Sequence, residues 1–388
     1  MRRVTLLRGA TLALGLVFAA GAAAQNADAP PLLLALPPID GAVPANARDA
    51  ANQALAMMGR EDRIQPEARS PCAVAEGGAI DLIVERARDA RVVIINEAHE
   101  SPRDRAFVED LAKALAPVGY KTYASEMLAR SAARDEPLYA RVRDGDFAAE
   151  PASGHLMRTL RALGYRVVPI DPANAPTGGR HFVDTINARE TAYASALINR
   201  AIQSGNQSKV LVHVGYGRNR ETVERIDRRD VRWMALQVKE ITGLDPLTID
   251  QTAFVAERDG VCAGPGGQVL SADRDLYVAH PTPVFERNRP AWRRARGEIF
   301  VTVPRALKRA GTRSIVEARR QGEPVEAAPA DRILIDAGED IPLLLAPGRY
   351  AARVWTEAAG WSKDVAVTAA APAQPQKAKA KTQRRKKR

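Results

Sequence analysis

Glu97 and His99 stand two residues apart at the end of an apolar run, Arg91–Asn96 (RVVIIN). In extended backbone, positions i and i+2 face the same side, so a carboxylate and an imidazole project together. Such a pair can orient and deprotonate a water molecule, or share a divalent cation. Other ionisable groups follow short apolar runs in the same way. Glu126 follows Lys121–Ser125, Asp171 follows Tyr165–Ile170, His213 to Arg218 surround the end of Lys209–Val214, and Asp250 follows Pro246–Ile249. Asp171 and Asp250 would also serve as helix N-caps or dipole partners. Glu97 and His99 are less easily explained that way, because Ser101 and Pro102 already supply the cap and the first-turn residue.

The five apolar runs alternate with helix-patterned segments: Arg103–Ala116, Gly154–Leu163, Asn187–Ile202 and Arg229–Ile241. Strand–helix alternation with nearly continuous apolar strands predicts an α/β fold, a mostly parallel sheet with helices on both faces. In open sheets of this kind, ligands bind beyond the carboxyl ends of the strands. That edge is where all five runs deliver their ionisable residues. Beyond about Asp259 the pattern changes to glycine-rich loop and then, from Glu298, to short alternating segments with a Pro347-Gly348 turn. These predict a small C-terminal β-sandwich-like domain.

The formal net charge of the 388 residues is +11, yet Arg2, Arg3 and Arg8 together with the eight basic residues of 377–388 account for all of it. The body between is neutral, which excludes a folded surface that neutralises many phosphates, and nucleic acid is not expected as a partner. Residues 1–24 combine a basic start, an apolar run and Ala22-Ala23-Ala24, the pattern of a secretory signal peptide. The expected protein is therefore periplasmic or secreted, with no transmembrane anchor after cleavage. In an oxidising compartment Cys72 and Cys262 can form one bridge, but two free thiols fit the sequence equally. The expected layout is signal peptide 1–24, linker and N-terminal helix 25–70, α/β domain 71–297, β-rich domain 298–370 and a basic tail 371–388. The tail suits either adhesion to an anionic envelope surface or simple solubility. No Gly-x-Ser-x-Gly, phosphate-loop or His-Glu-x-x-His motif occurs. His155, His181 and His280 lack acid or Cys partners at ligand spacing and read as structural or surface residues.

The run Val92–Glu126, followed by KVLVHVGYG (Lys209–Gly217) and ITGLDPLTIDQT (Ile241–Thr252), resembles the superfamily that joins erythromycin-esterase-like proteins, ChaN haem-binding uptake proteins and Tiki proteases. The resemblance covers roughly residues 80–252. It implies that Glu97, His99 and Glu126 form the polar centre, with Arg189 and Glu190 as an Arg-acid pair opening a later helix. Two positions depart from the pattern: Asn96 replaces a glycine, and Arg218 stands where a second histidine is usual. Arginine stays protonated and can be neither base nor metal ligand.

The expectation from residues and resemblance together is a hydrolase acting on a small-molecule or peptide substrate. Glu97, His99 and His213 would activate water, directly or through a divalent metal ion held by Glu97, His99 and Glu126. Glu126 would orient them, and Arg218, Arg189, Asp171 and Asp250 would bind substrate. The alternatives are a haem- or iron-binding uptake protein with Tyr216 as haem ligand, and a degenerate scaffold that only binds.

Overall fold

A computed structural model describes residues 48–370, apart from 135–136, 146, 173–177 and 206–207. The expected signal peptide, most of the linker and the basic tail lie outside the described residues. The fold is mixed α/β, built on an eight-stranded sheet. Its strands are β1 (Ala73–Val74), β2 (Val92–Glu97), β3 (Tyr120–Ser125), β4 (Arg166–Pro169), β5 (Lys209–Gly215), β6 (Leu247–Asp250), β7 (Gly260–Ala263) and β8 (Leu276–Ala279), in the spatial order β4-β3-β5-β2-β6-β8-β7-β1. Pairings from β4 across to β8 run parallel, while β7 is antiparallel to both β8 and β1.

The alternating side chains of β2 show how both faces are covered. Val93 and Ile95 join one buried cluster with Leu111, Leu115, Leu156 and Leu160, whereas Val92 and Ile94 join another with Leu197, Ile198, Met234 and Val238. After the N-terminal helix α1 (Arg48–Met57), the first face carries α2 (Ala79–Ala87), α3 (Pro102–Leu115) and α4 (Pro151–Ala162), the second α5 (Phe182–Leu197) and α6 (Met234–Thr242). Two sequence expectations are corrected. Residues 229–231 form a strand hairpin with 224–226 and the helix begins only at Met234, because Asp227 and Arg228 both take positive φ (48° and 63°) and turn the chain back. The stretch from Gly260 is not a continuous loop either; it forms β7, and Leu276–Ala279 forms β8.

At that antiparallel edge Cys72 and Cys262 are bonded, with Cα atoms 5.7 Å apart and 190 residues between them in sequence. The bridge decides between the two readings left open by the sequence. The C-terminal region forms a five-stranded sheet around Ser314–Arg320 and Gly348–Thr356, against which the pair Ile299–Val301 and Leu343–Leu345 packs over a separate apolar core. The N-terminal helix Arg48–Met57 is followed by Met58, whose side chain lies in a cluster with Ile315 and Leu334 of that C-terminal sheet.

Candidate functional site

The three strands β3, β5 and β2 lie side by side, and their carboxyl ends bring Ser125, His213 to Gly215 and Glu97 together; Glu97 pairs with Gly215 and Ser125 with His213. Local sequence explains how Glu97 and His99 stay clear of the next helix. Ser101 caps α3 by accepting from the Asp104 amide, Pro102 is its first residue, and Asp104 accepts from the Ala98 amide at 3.0 Å. The cap therefore uses neither the carboxylate nor the imidazole.

Glu97 is fully buried and is the hub. Its Oε1 accepts from Arg105 Nη2 at 2.7 Å and lies 3.2 Å from His99 Nδ1, while Oε2 lies 3.0 Å from His213 Nε2. Burial alone would raise this carboxyl, but Arg105, His213 and His99 outweigh it and hold it well below the usual carboxylate range. Glu97 is thus ionised. The imidazole of His99 is 20% exposed and is the member of the cluster that meets solvent. Its ring stacks on Phe147 (centroids 5.1 Å apart) and meets Tyr216 edge-on at 5.2 Å. His213, by contrast, is fully buried, with Nδ1 2.8 Å from the Tyr123 hydroxyl.

A second group adjoins the first through Gly215. Glu126 Oε1 accepts from the Gly215 amide at 2.5 Å, and its other oxygen pairs with Arg218 Nη1 at 2.8 Å. Arg218 also pairs with Glu190 (3.2 Å) and lies over the Tyr193 ring at 4.3 Å. Burial raises the Glu190 carboxyl, with Arg218 opposing it. Asp171 joins through the Tyr193 hydroxyl, which donates to it at 3.2 Å, and the charge of Arg189 acts weakly to lower the ionisation of Glu190 and Tyr193. Gly215 has no room to be anything larger. A Cβ there would stand 2.4 Å from His99 Cε1, 2.6 Å from His99 Nε2 and 2.9 Å from Glu126 Oε1, so both side chains converge on the space above this residue.

The structure thus gathers Glu97, His99, Glu126, His213 and Arg218, but assigns them positions the sequence could not. His213 has no surface exposed to solvent, so the exposed imidazole of the pair is His99. Arg218 is spent on two carboxylates and does not present a free guanidinium to an anion. Asp250 is set apart: it accepts from the Thr252 and Ala253 amides (2.8 and 3.1 Å) and pairs with Arg274, which makes it a buried turn residue. Asn96 donates to the Tyr216 carbonyl at 2.8 Å, fastening a residue with φ of 39°. His280, which lacked a partner in sequence, pairs in space with Asp259 and Gln251.

Sequence reasoning missed Arg105, Tyr123 and Phe147. Arg105 left a signal, since a cation in the first turn of a helix opposes the helix dipole unless an acid compensates it. Phe147 left none, because it reaches His99 from a loop.

Neither expected cofactor fits these residues. A divalent ion on Glu97 and Glu126 would compete with Arg105 and Arg218, which already neutralise both carboxylates at 2.7 and 2.8 Å. Among the described residues no group of three His, Cys, Asp or Glu side chains is arranged for a metal ion. For haem, Tyr216 would have to bind as a phenolate. Its hydroxyl instead donates to Glu100 at 2.7 Å, and burial together with Glu100 pushes its ionisation far above the usual range.

No protein-family profile matches the chain, and no curated protein matches it. Among solved structures it is similar to the type III effector HopBA1, at 20% identity over 55% of this chain and 99% of that one, with a TM-score of 0.36. It is similar also to RRSP, a MARTX toxin effector domain from Vibrio vulnificus, at 17% identity over 53% and 38% of the two chains (TM-score 0.34). A structure described as bacterial protein toxins matches at 16% identity with a TM-score of 0.33, and the match spans 39% of its length. The chemistry is therefore read from the site.

Proposed function

We propose that this chain is a metal-independent hydrolase of esters or amides, with His99 as general base and Glu97 as the group that orients it. The observation that carries the reading is the Glu97 hub: a buried, ionised carboxylate holding Nδ1 of an imidazole whose ring reaches solvent. In this scheme Nε2 of His99 takes a proton from water as the water oxygen attacks the carbonyl carbon, and returns it to the leaving oxygen or nitrogen. Glu97 keeps the imidazole in orientation and balances its charge while it holds the proton. Glu126, bonded to the Gly215 amide and to Arg218, fixes the opposite wall of the space beside His99. The resemblance to erythromycin-esterase-like proteins supports the same polar centre. An exported location is supported by the signal-like residues 1–24 and by the disulfide, which persists in oxidising compartments.

The test is turnover of a panel of chromogenic esters and peptides by the purified chain, with and without chelator. A general base contributes about 10²–10⁴-fold, so His99→Ala should lose at least that lower figure while keeping its circular dichroism, and chelation should leave the rate unchanged. Equal turnover by His99→Ala and the parent, or loss of activity on chelation, would overturn the proposal.

A further inference from the structure

A line of buried groups runs behind His99: Tyr123, His213 and Glu97. An ionised carboxylate only accepts hydrogen bonds. At the His213 Nε2 to Glu97 Oε2 contact of 3.0 Å, the proton therefore belongs to the imidazole. If His213 is neutral, its Nδ1 is then an acceptor, and the group that faces it at 2.8 Å is the Tyr123 hydroxyl, which must donate. Tyr123 is able to donate because burial keeps its phenol protonated far above the usual range. A doubly protonated His213 would put a second buried cation on Glu97 beside Arg105. The nearby Glu150 is turned to other use, accepting from the Ala152 and Ser153 amides at 2.8 and 2.9 Å.

We infer that Tyr123 and His213 form a one-way chain of donors directed at Glu97, and that they are positioning residues for His99. Tyr123 donates to His213, and the protonated Nε2 of His213 faces Oε2 of Glu97 from inside. Oε1 is left to accept from Arg105 and from His99 Nδ1, which leaves Nε2 of His99 unprotonated beside Gly215 and Glu126. The role as base rests on the hydrolase reading above; the proton positions do not, and are measured without substrate.

The experiment is long-range proton–nitrogen NMR on the full chain labelled with ¹⁵N-histidine, readable because the chain has five histidines. The expected result near neutral pH is opposite tautomers: His213 protonated on Nε2 alone, His99 on Nδ1 alone. In Tyr123→Phe the His213 Nδ1 signal should move toward that of an unbonded ring nitrogen while Nε2 keeps its proton. A His213 protonated on Nδ1, or on both nitrogens, overturns the chain, and the parent spectrum decides this even if Tyr123→Phe does not fold. If the tautomers are as stated and no substrate is turned over, the hydrolase reading falls while the donor chain stands.

Discussion

Glu97→Gln is the perturbation that tests the hub most directly. The change preserves shape and leaves an oxygen for Arg105 and an amide beside the two histidines, so lost packing contributes nothing. What disappears is a charge that is fully buried and 2.7 Å from Arg105, itself 1% exposed. Removing one partner of a buried ion pair costs about 3–5 kcal/mol, because the survivor remains desolvated. Glu150 lies 3.6 Å from Arg105 and can compensate only in part, its oxygens being held at the start of α4, so the lower end of that range is expected. For a chain of this size the corresponding fall in Tm is about 4–5 °C. Thermal unfolding followed by circular dichroism reads it, and the double variant Glu97→Gln/Arg105→Met should recover much of it by removing the stranded guanidinium. A Tm for Glu97→Gln within about 2 °C of the parent, or a double variant less stable than the single one, would refute the claim that the two charges depend on each other.

Three further outcomes follow from other contacts. Gly215→Ala should displace His99 and Glu126, since the new methyl would stand 2.4–2.9 Å from their atoms; turnover should fall about 10²-fold with a destabilisation of roughly 1–3 kcal/mol, and unchanged kinetics would contradict the placement. Reduction of the disulfide, or Cys72→Ser with Cys262→Ser, should destabilise the chain by up to about 4–5 kcal/mol because the bridge closes a loop of 190 residues, measurable as a lower midpoint in urea. Glu61 and Glu298 are pushed up to about 7, burial being the main cause in both. A carboxyl raised in the folded state binds its proton more tightly than the unfolded chain does, so stability falls as pH rises from about 4.5 to 7. Glu298→Gln should flatten that fall, as read from Tm against pH.

The alternation of five apolar runs with helix-patterned segments was enough to place five parallel strands and to line up their polar ends, because nearly continuous apolar strands must be covered on both faces. The antiparallel edge escaped, since β1 and β7 are short, surrounded by glycine and turn residues, and become strands through pairing with each other and with β8. At the site, Glu97, His99 and Glu126 were legible from spacing. The burial of His213 was not, because an apolar strand reads the same whether its one polar side chain faces a cleft or the interior. Likewise Arg218 reads as a free cation until Glu126 and Glu190 are seen to come from two other segments and close on it.

The helix Arg48–Met57 leads into a segment that belongs, physically, to the other end of the chain. The Met58 carbonyl accepts from the Leu334 amide, the Gly59 carbonyl accepts from Arg289, and Arg60 reaches Glu339, 279 residues later. A chain made from its N-terminus onward cannot complete these contacts until nearly all of it has been synthesised. High contact order of this kind slows folding. On the proposed export route, such a delay would keep the emerging polypeptide unfinished while it is still being handed across.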